Sequence, residues 1–418
     1  MSDILYRAKG DNPGVIASED VPIVMNAVVA LGKEGGDRKG MPLGYEFMED
    51  RDTPRLDNGE VLLKVEYSGI CHTDLLCLDG ILVVKKPRIP GHEFAGTVVA
   101  AAQDVDENYL NKQMVALALY GGTGRQPNLS RDAIFTGVAV DGGFADYFKI
   151  KPEYLIFIPK DVSTKHAFAA GDALMTSRHA VSKIIPGFGK DETPKVVVYG
   201  ATGGLGVAAI LNLIGAGVKP EDIYAVDVRQ EYLDELKENL GLNIINSGGQ
   251  KVAEQIKQMV GGRVDAVIDC FGSGGNIKKA YASLEELVKA GVGEGENQFN
   301  KESVKNWLLE NFMSQGTISD AYDIVRNGGY VEVIGSRGDH ILRPTGKFME
   351  TEVTSSGPWG GTPEDAKIVL QYIKEGKIGM NQLELLLGKQ LPFTKEGFSE
   401  GVEDLRKSRV MGRTYFKM

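Results

Sequence analysis

Residues 196–206 of this chain read VVVYGATGGLG, a run of apolar residues that leads directly into a turn rich in glycine. A short β-branched run of this kind is typical of a strand that is buried on both faces, as in a parallel sheet. The small residues that follow, Val207, Ala208 and Ala209, suit the start of a helix. The stretch therefore predicts an α/β fold with a doubly wound parallel sheet.

The spacing of the turn predicts a site for a dinucleotide. Its pattern is Gly-x-x-Gly-x-x-Gly, and small residues let the backbone approach a pyrophosphate that helix N-terminal amides then bind. A second strand, residues 223–227, ends in an acid about 20 residues beyond the turn, where such sites hold the ribose. This carboxylate favours NAD over NADP, although a nearby arginine softens that preference. The residues expected to contact the cofactor are Gly200, Gly203, Gly204, Leu205, Gly206, Asp227 and Arg229.

Two further apolar runs, at 265–272 and 329–335, are expected to add strands to the same sheet. Between them, residues 285–318 contain apolar side chains at helical spacing, which indicates a packed helix in a lobe over the cleft or at a subunit interface. Those side chains are Val304, Trp307, Leu308 and Phe312. Residues 363–377 predict another helix, with Thr362 as its N-cap.

The composition limits the class of protein. A length of 418 residues favours two domains, and 42% hydrophobic with 25% charged residues is typical of a soluble globular chain. The formal net charge of -10, without a cluster of Lys and Arg, argues against a nucleic acid as partner.

Nothing in the sequence predicts association with a membrane. No apolar run approaches the ~20 residues needed to cross a bilayer, and residues 1–4 do not begin a secretory signal. With three cysteines in the chain, we expect no disulfide framework and a reducing cytoplasm. Cys77 and Cys270 are interpreted as buried free thiols.

Upstream of the sheet, candidate metal ligands occur in three short motifs. Residues 69–74 read GICHTD, residues 91–93 read GHE, and residues 171–172 read GD. Cys71, His92 and Asp172 offer a thiolate, an imidazole and a carboxylate, and three protein ligands with an open fourth position are typical of a catalytic zinc site. Alternatively, Cys71 and His92 are core residues of a β-rich region.

The neighbours of these residues favour the metal. Thr73, Asp74 and Glu93 flank the ligands, and residues 142–147, the glycine turn and Asp227 follow at suitable places. In these motifs the chain resembles the zinc-dependent medium-chain alcohol dehydrogenases, over most of residues 25–418. The resemblance implies a GroES-like, β-rich catalytic domain (1–180 and 361–418). It also implies a Rossmann NAD-binding domain (181–360) with an insertion near 285–318.

The resemblance also implies a reaction: a hydride passes between an alcohol and NAD to give an aldehyde or ketone, with zinc as Lewis acid. Thr73 would hold the substrate oxygen and relay its proton, Asp74 would orient His92, and Glu93 would lie behind the metal as a possible transient ligand. His72 and Thr176 would contact the cofactor. The expected partner is a small alcohol or carbonyl compound, and the expected assembly is a homodimer or homotetramer.

The chain departs from the family pattern at several places. Many relatives use Cys where Asp172 stands, and many place a proton-relaying histidine where Leu76 stands. No cysteine lies between residues 94 and 170, so the four-cysteine structural zinc site of many relatives is excluded. Residues 1–24 precede the resemblance and are interpreted as an extension on the surface or at a subunit contact.

Two other functions remain open at this point. A zinc-free enoyl or quinone reductase of the same superfamily would share the glycine turn but would not explain Cys71, His92 and Glu93. A non-catalytic nucleotide-binding protein is the second alternative. The substrate is equally open among cyclic, secondary, aromatic and CoA-linked alcohols.

Overall fold

The computed structural model describes residues 4–31, 44–78, 87–124, 126–189, 192–248, 252–272, 316–335 and 350–418. The chain divides into two compact units, Met1–His179 with Trp359–Met418, and Ala180–Pro358. The predicted helix around Val304, Trp307, Leu308 and Phe312 lies outside the described residues.

The described strands are β1 (Ile4–Tyr6), β2 (Val15–Ala17), β3 (Val21–Pro22), β4 (Val24–Ala30), β5 (Tyr45–Asp52), β6 (Val61–Gly69), β7 (Glu93–Ala102), β8 (Gln113–Ala116), β9 (Leu119–Tyr120), β10 (Ile134–Phe135), β11 (Tyr147–Ile150), β12 (Leu155–Phe157), β13 (Val196–Tyr199), β14 (Ile223–Asp227), β15 (Asn243–Asn246), β16 (Val264–Asp269), β17 (Val325–Val333), β18 (Thr354–Ser356), β19 (Lys389–Pro392) and β20 (Thr414–Lys417). The described helices are α1 (His72–Leu78), α2 (Thr164–Ala167), α3 (Ala173–Ile184), α4 (Gly204–Gly215), α5 (Gln230–Leu240), α6 (Val252–Val260), α7 (Thr317–Ile324), α8 (Pro363–Lys374), α9 (Met380–Leu386) and α10 (Lys395–Arg406).

The first unit is built around a mostly antiparallel eight-stranded sheet. Its strand order is β12-β8-β7-β6-β20-β19, with β11 also paired to β6 and β2 to β7. The long central strands β6 and β7 are buried at most positions because both their faces are covered. Strand β6 ends where the GICHTD motif begins, and β7 starts at the last residue of the GHE motif.

The second unit contains a six-stranded parallel sheet in the order β15-β14-β13-β16-β17-β18. When the six strands are numbered 1 to 6 along the chain, their order in the sheet is 3-2-1-4-5-6, which is the Rossmann arrangement. The order reverses between β13 and β16, and the glycine turn follows the carboxyl end of β13. The sheet confirms the predicted doubly wound parallel arrangement, and the first unit is the predicted β-rich domain.

Of the two positions predicted for the N-terminal segment, on the surface or at a subunit contact, the structure contradicts the first. Strand β2 pairs antiparallel with β7, and Val15, Ala17 and Val21 are buried in the same hydrophobic cluster as the core strands. The backbone N–H of Leu56 donates to the hydroxyl of Tyr6 at 2.9 Å. The expectation was wrong because three short apolar stretches, too brief to show a period, pack as edge strands.

Helix α8 begins where the sequence predicts and ends three residues earlier, at Lys374. Thr362 and Asp365 form a capping box, in which each side chain accepts the backbone N–H of the other residue.

Each helix in the described part of the chain is too short or too polar to cross a membrane.

Candidate metal and dinucleotide sites

Three chain segments of the first unit bring the predicted metal ligands together. Cys71 immediately precedes α1, His92 precedes β7, and Asp172 precedes α3. The Sγ of Cys71, a ring nitrogen of His92 and a carboxylate oxygen of Asp172 all lie within 4.8 Å of one another. Cys71 and His92 are buried, and the side chain of Asp172 is 15% exposed.

The ring of His92 is held by carboxylates on both sides. Asp74 Oδ1 lies 3.0 Å from Nδ1, while Asp172 Oδ2 lies 3.5 Å from Nε2. The buried Asp74 also accepts the backbone N–H of Cys71 at 2.8 Å and of Gly91 at 3.2 Å, so it ties both motifs together. When Nδ1–H donates to Asp74, Nε2 is the ring nitrogen that can bind a metal.

Arg413 joins this cluster, and the sequence analysis missed it. The residue directly precedes β20 and is 5% exposed. Its Nε lies 3.0 Å from Glu93 Oε2, so the two groups form an ion pair, although the angle does not suit a hydrogen bond. Its Nη2 donates to Asp172 Oδ2 at 3.3 Å. The other oxygen of Glu93 accepts the backbone N–H of Ala173 at 3.1 Å. One signal was available, because three acids predicted to share a buried site need a buried cation.

The charged groups shift each other's ionisation. Burial opposes the charge on His92, but Asp74 and Asp172 outweigh it and raise the pKa of the imidazole well above its usual range. Burial raises the pKa of Glu93 to about 7, although Arg413 opposes this shift. Burial also works against the charge on Asp172, but His92 and Arg413 outweigh it and lower its pKa. The field at the imidazole therefore favours a positive charge.

The residues present fit a zinc ion. Sulfur, nitrogen and carboxylate oxygen are its usual ligands, and three protein ligands leave a fourth position for a substrate. A divalent cation together with Arg413 would balance the charges of the Cys71 thiolate, Asp172 and Glu93. The carboxylate on Nδ1 of His92 is the support that metal-bound histidines commonly have.

The surroundings of the cluster include the hydroxyl of Thr73 and an aromatic wall. Thr73 Oγ1 lies 3.9 Å from the Sγ of Cys71. The ring of Phe135 meets the ring of His92 edge-on at 5.2 Å, and Trp359 meets Phe135 at 6.2 Å. Polar and apolar groups thus face the same place, as a site for an alcohol requires.

The predicted cofactor residues lie in both units. In the first, His72 is exposed at the start of α1, and the buried Thr176 donates from Oγ1 to Asp172 Oδ1 at 3.3 Å. In the second, the glycine turn connects β13 to α4. Gly200 has φ +67°, and a Cβ on Gly206 would lie 2.1 Å from the carbonyl oxygen of Gly200, so both positions need glycine.

Asp227 lies at the end of β14, beside this turn. Its carboxylate accepts the backbone N–H of Thr202 at 3.1 Å and of Val228 at 2.8 Å. The Nε of Arg229 lies 3.3 Å from the same carboxylate, and its Nη2 donates to the hydroxyl of Thr202. Burial opposes the charge of Asp227, but Arg229 and Thr202 outweigh it and lower its pKa. The acid is therefore ionised and fixed next to the turn.

Comparison with known proteins agrees with this geometry. Residues 57–160 match the alcohol dehydrogenase GroES-like domain, and residues 204–308 match the zinc-binding dehydrogenase family. An NAD-dependent alcohol dehydrogenase of Sulfolobus acidocaldarius is 30% identical over 266 residues, which are 59% of this chain and 74% of the relative. The chain belongs to the zinc-dependent medium-chain alcohol dehydrogenase family.

Other members of the family are similar in the same way. A sorbitol dehydrogenase of Bacillus subtilis is 31% identical over 260 residues, 59% of this chain and 70% of that protein. In fold, the chain resembles the crystal structure of 2R,3R-butanediol dehydrogenase from Bacillus subtilis, with a TM-score of 0.70 and 21% identity. That likeness covers 94% of this chain and 99% of the other.

As a zinc-dependent alcohol dehydrogenase, the protein is an oxidoreductase that uses NAD and acts on small-molecule alcohols. The zinc-free reductase and the non-catalytic alternatives are thereby set aside.

Two histidines without a matching motif, His166 and His179, lie apart from the metal ligands. They contact Glu384 at 2.8 Å and Asp365 at 2.9 Å, respectively.

Proposed function

We propose that Cys71, His92 and Asp172 are the three protein ligands of the catalytic zinc in an NAD-dependent alcohol oxidation. The observation that carries this proposal is the convergence of one sulfur, one nitrogen and one oxygen atom within 4.8 Å. When bound, the metal supplies a Lewis acid that stabilises negative charge on the substrate oxygen. The remaining steps belong to side chains of the protein.

Thr73 is the residue proposed to handle the proton. Its Oγ1, close to Cys71 Sγ, would accept a hydrogen bond from the substrate hydroxyl and pass the proton outward. The neighbouring Leu76 cannot accept that proton, so the relay ends on water, on a cofactor ribose or on another residue.

Asp74, Glu93 and Arg413 are proposed to position the ligands. Asp74 holds the ring of His92 through Nδ1, and its contacts to two backbone N–H groups support this role. Arg413 keeps the carboxylate of Asp172 ionised and offers Glu93 a counter-charge. Glu93 thus remains near the metal, where it could act as a transient ligand.

The cofactor is proposed to bind by its pyrophosphate at the glycine turn and by its ribose at Asp227. The N-terminus of α4 supports the first contact because its free N–H groups favour an anion. The contacts of His72, Thr176 and Arg229 with the cofactor remain part of this proposal. The proposal also assigns the zinc ligands to the first unit and the binding of NAD to the second.

The substrate is proposed to be an alcohol with an apolar or aromatic group. Phe135 and the half-exposed Trp359 support this choice, since aromatic faces favour apolar partners over polyols. We also propose a homodimer or homotetramer in the cytoplasm. The three free cysteines agree with a reducing compartment.

Metal analysis combined with an alcohol panel tests the ligand assignment. The purified protein should contain about one zinc per chain and form NADH from at least one secondary or aromatic alcohol. Asp172→Ala should lose the zinc, whereas Asp172→Cys, which restores a common ligand, should retain it. Full zinc in Asp172→Ala, or full activity without zinc, would reject the assignment.

A further inference from the structure

A second concave site lies in the first unit, apart from the metal cluster. It is a groove of about 760 Å³, within the size range of small-molecule sites. Strands β5, β9, β10 and β11 contribute to its walls, together with Leu5 and Ile23 of the N-terminal segment. The zinc-site residues Cys71, Thr73, His92 and Asp172 are not among those that line it.

The short ribbon of β9 and β10 separates this groove from the aromatic wall of the metal site. Tyr120 pairs with Ile134, and both line the groove. The adjacent pair is Leu119 and Phe135, and successive residues of a strand point to opposite faces. Phe135 accordingly contacts His92. A molecule in the groove would thus lie behind the alcohol site and not within it.

Cations outnumber acids among the charged side chains that line the groove: Arg51, Arg55, Lys149 and Lys151 against Asp52, Glu60 and Asp141. Asp141 Oδ1 lies 3.7 Å from Arg88 Nη1, which leaves Asp52 as the acid of the groove without an ion pair to another described residue. Arg51, Arg55 and Lys151 line it, and none of them forms an ion pair with another described residue. Lys149, by contrast, is neutralised by Asp57 at 2.6 Å and Glu60 at 2.9 Å. Guanidinium groups bind carboxylates and phosphates in a bidentate manner, so this pattern favours an anion.

A buried threonine lies between the two arginines in the sequence. Thr53 lines the groove, is 4% exposed, and its Oγ1 has no hydrogen-bond partner within the described ranges. This oxygen has almost no accessible surface, so a molecule in the groove does not reach it, and Thr53 serves as an internal control for the site.

The groove also has an aromatic wall. The rings of Tyr120 and Tyr154 stack at 4.4 Å with an interplanar angle of 26°, and both tyrosines line the groove. Stacked rings of this kind accept a further planar ring at low conformational cost. Ile89 and Ile134 extend the apolar surface.

We propose that this groove binds a small organic anion, a planar ring that carries a phosphate or a carboxylate group. Arg51 and Arg55 bind the anionic group, and the paired tyrosines contact the ring. The site is independent of alcohol oxidation, because none of the residues assigned to the metal or to the cofactor contributes to it.

Calorimetric titration of the full-length, zinc-loaded protein tests the proposal. Saturating NAD is present so that the dinucleotide site is occupied. Phenyl phosphate and benzoate are the probes, and uncharged benzamide and inorganic phosphate are the comparisons. At least one ring-bearing anion should bind once per chain with a Kd below about 1 mM. Benzamide and inorganic phosphate should bind at least about tenfold more weakly, because each lacks one of the two recognised groups.

Substitutions then locate the bound anion. Arg51→Gln and Arg55→Gln should each weaken binding by about tenfold or more, whereas Thr53→Val should leave it unchanged because the hydroxyl is not accessible from the groove. Arg131→Gln is the matched control, since Arg131 is exposed and does not line the groove. Arg55 is exposed, so its substitution preserves the fold. Absence of binding by both anions, or unchanged binding in Arg55→Gln, would overturn the proposal. Alcohol oxidation, measured separately, reports on the zinc site.

Discussion

The metal cluster of the first unit and the glycine turn of the second are built by opposite means. The cluster joins buried side chains from segments that are far apart in the sequence: Cys71, His92, Asp172 and Arg413. The turn is one contiguous segment, residues 200–206, whose chemistry comes from backbone N–H groups and from absent side chains. One site depends on which charges are present, and the other on which atoms are missing.

The difference has an energetic basis. Buried ionised groups are costly alone and stable only as a set, so removal of one member disturbs all the others. A glycine turn stores its specificity in backbone shape, so an added side chain shifts the backbone around it but leaves the charged groups of the zinc site in place. Substitutions in the cluster should therefore have larger effects than substitutions in the turn.

The largest effect is expected from Cys71→Ala. Loss of this ligand should remove the zinc and lower NADH formation by roughly 10³-fold or more, since a Lewis acid contributes several kcal/mol. Metal analysis and steady-state rates measure both. Cys77→Ala is the control: this thiol is also buried, which raises its pKa to about 12, and it is not a proposed ligand. Retention of zinc by Cys71→Ala would contradict the assignment of Cys71 as a ligand.

Thr73→Val should come next. The valine keeps the shape of threonine but removes the hydroxyl near Cys71, so turnover should fall by at least about 10²-fold. Thr73→Ser should retain most of the activity. Rates are compared at equal zinc content. Parental turnover in Thr73→Val would mean that the proton leaves by another route.

A smaller effect is expected from Asp227→Ala, beside the turn. The loss of an ionised acceptor should raise the KM for NAD by about tenfold and narrow the gap to NADP. Zinc content should not change. Glu231→Gln, an exposed acid in the first turn of α5, is the matched control. Unchanged discrimination between NAD and NADP would assign the ribose to another residue.

Substitutions at two glycines of the turn should have the smallest effects on turnover, and they separate an effect on stability from an effect on cofactor binding. A Cβ on Gly206 would meet backbone atoms at 2.1 and 2.7 Å, so Gly206→Ala should cost about 1–3 kcal/mol of stability. A Cβ on Gly203 would lie 3.4 Å from the carbonyl oxygen of Gly200. Gly203→Ala should therefore keep the melting temperature and raise the KM for NAD. Equal melting temperatures in Gly206→Ala and Gly203→Ala would contradict the prediction that only Gly206 is required for stability.

Much of the dinucleotide turn could be predicted because its evidence is local. A strand, a glycine turn and a helix follow one another in sequence, and Asp227 ends the next strand. Cys71 and His92 were also accessible, since each lies in a short motif. Asp172 was a weaker prediction, because a carboxylate at the start of a helix has an ordinary role as well.

Arg413 and the N-terminal segment could not be predicted from local patterns. Arg413 directly precedes the terminal strand β20, and only the pairing of that strand with β6 brings it to Glu93 and Asp172. The N-terminal segment becomes part of the core through the pairing of β2 with β7. Neither pairing leaves a periodic signal in the residues concerned.

The sequence by itself determined the strand, glycine turn and acid of the dinucleotide site and the ligand types in the zinc motifs, and its resemblance to a known family implied the GroES-like domain. These features depend on neighbours in the chain, where residue type and spacing decide the local structure. The tertiary structure alone decided which charges meet: Arg413 with Glu93 and Asp172, Asp74 between two loops, and the cationic groove behind β10. Burial makes such pairings strong, and only the packing of distant strands determines which groups are buried together.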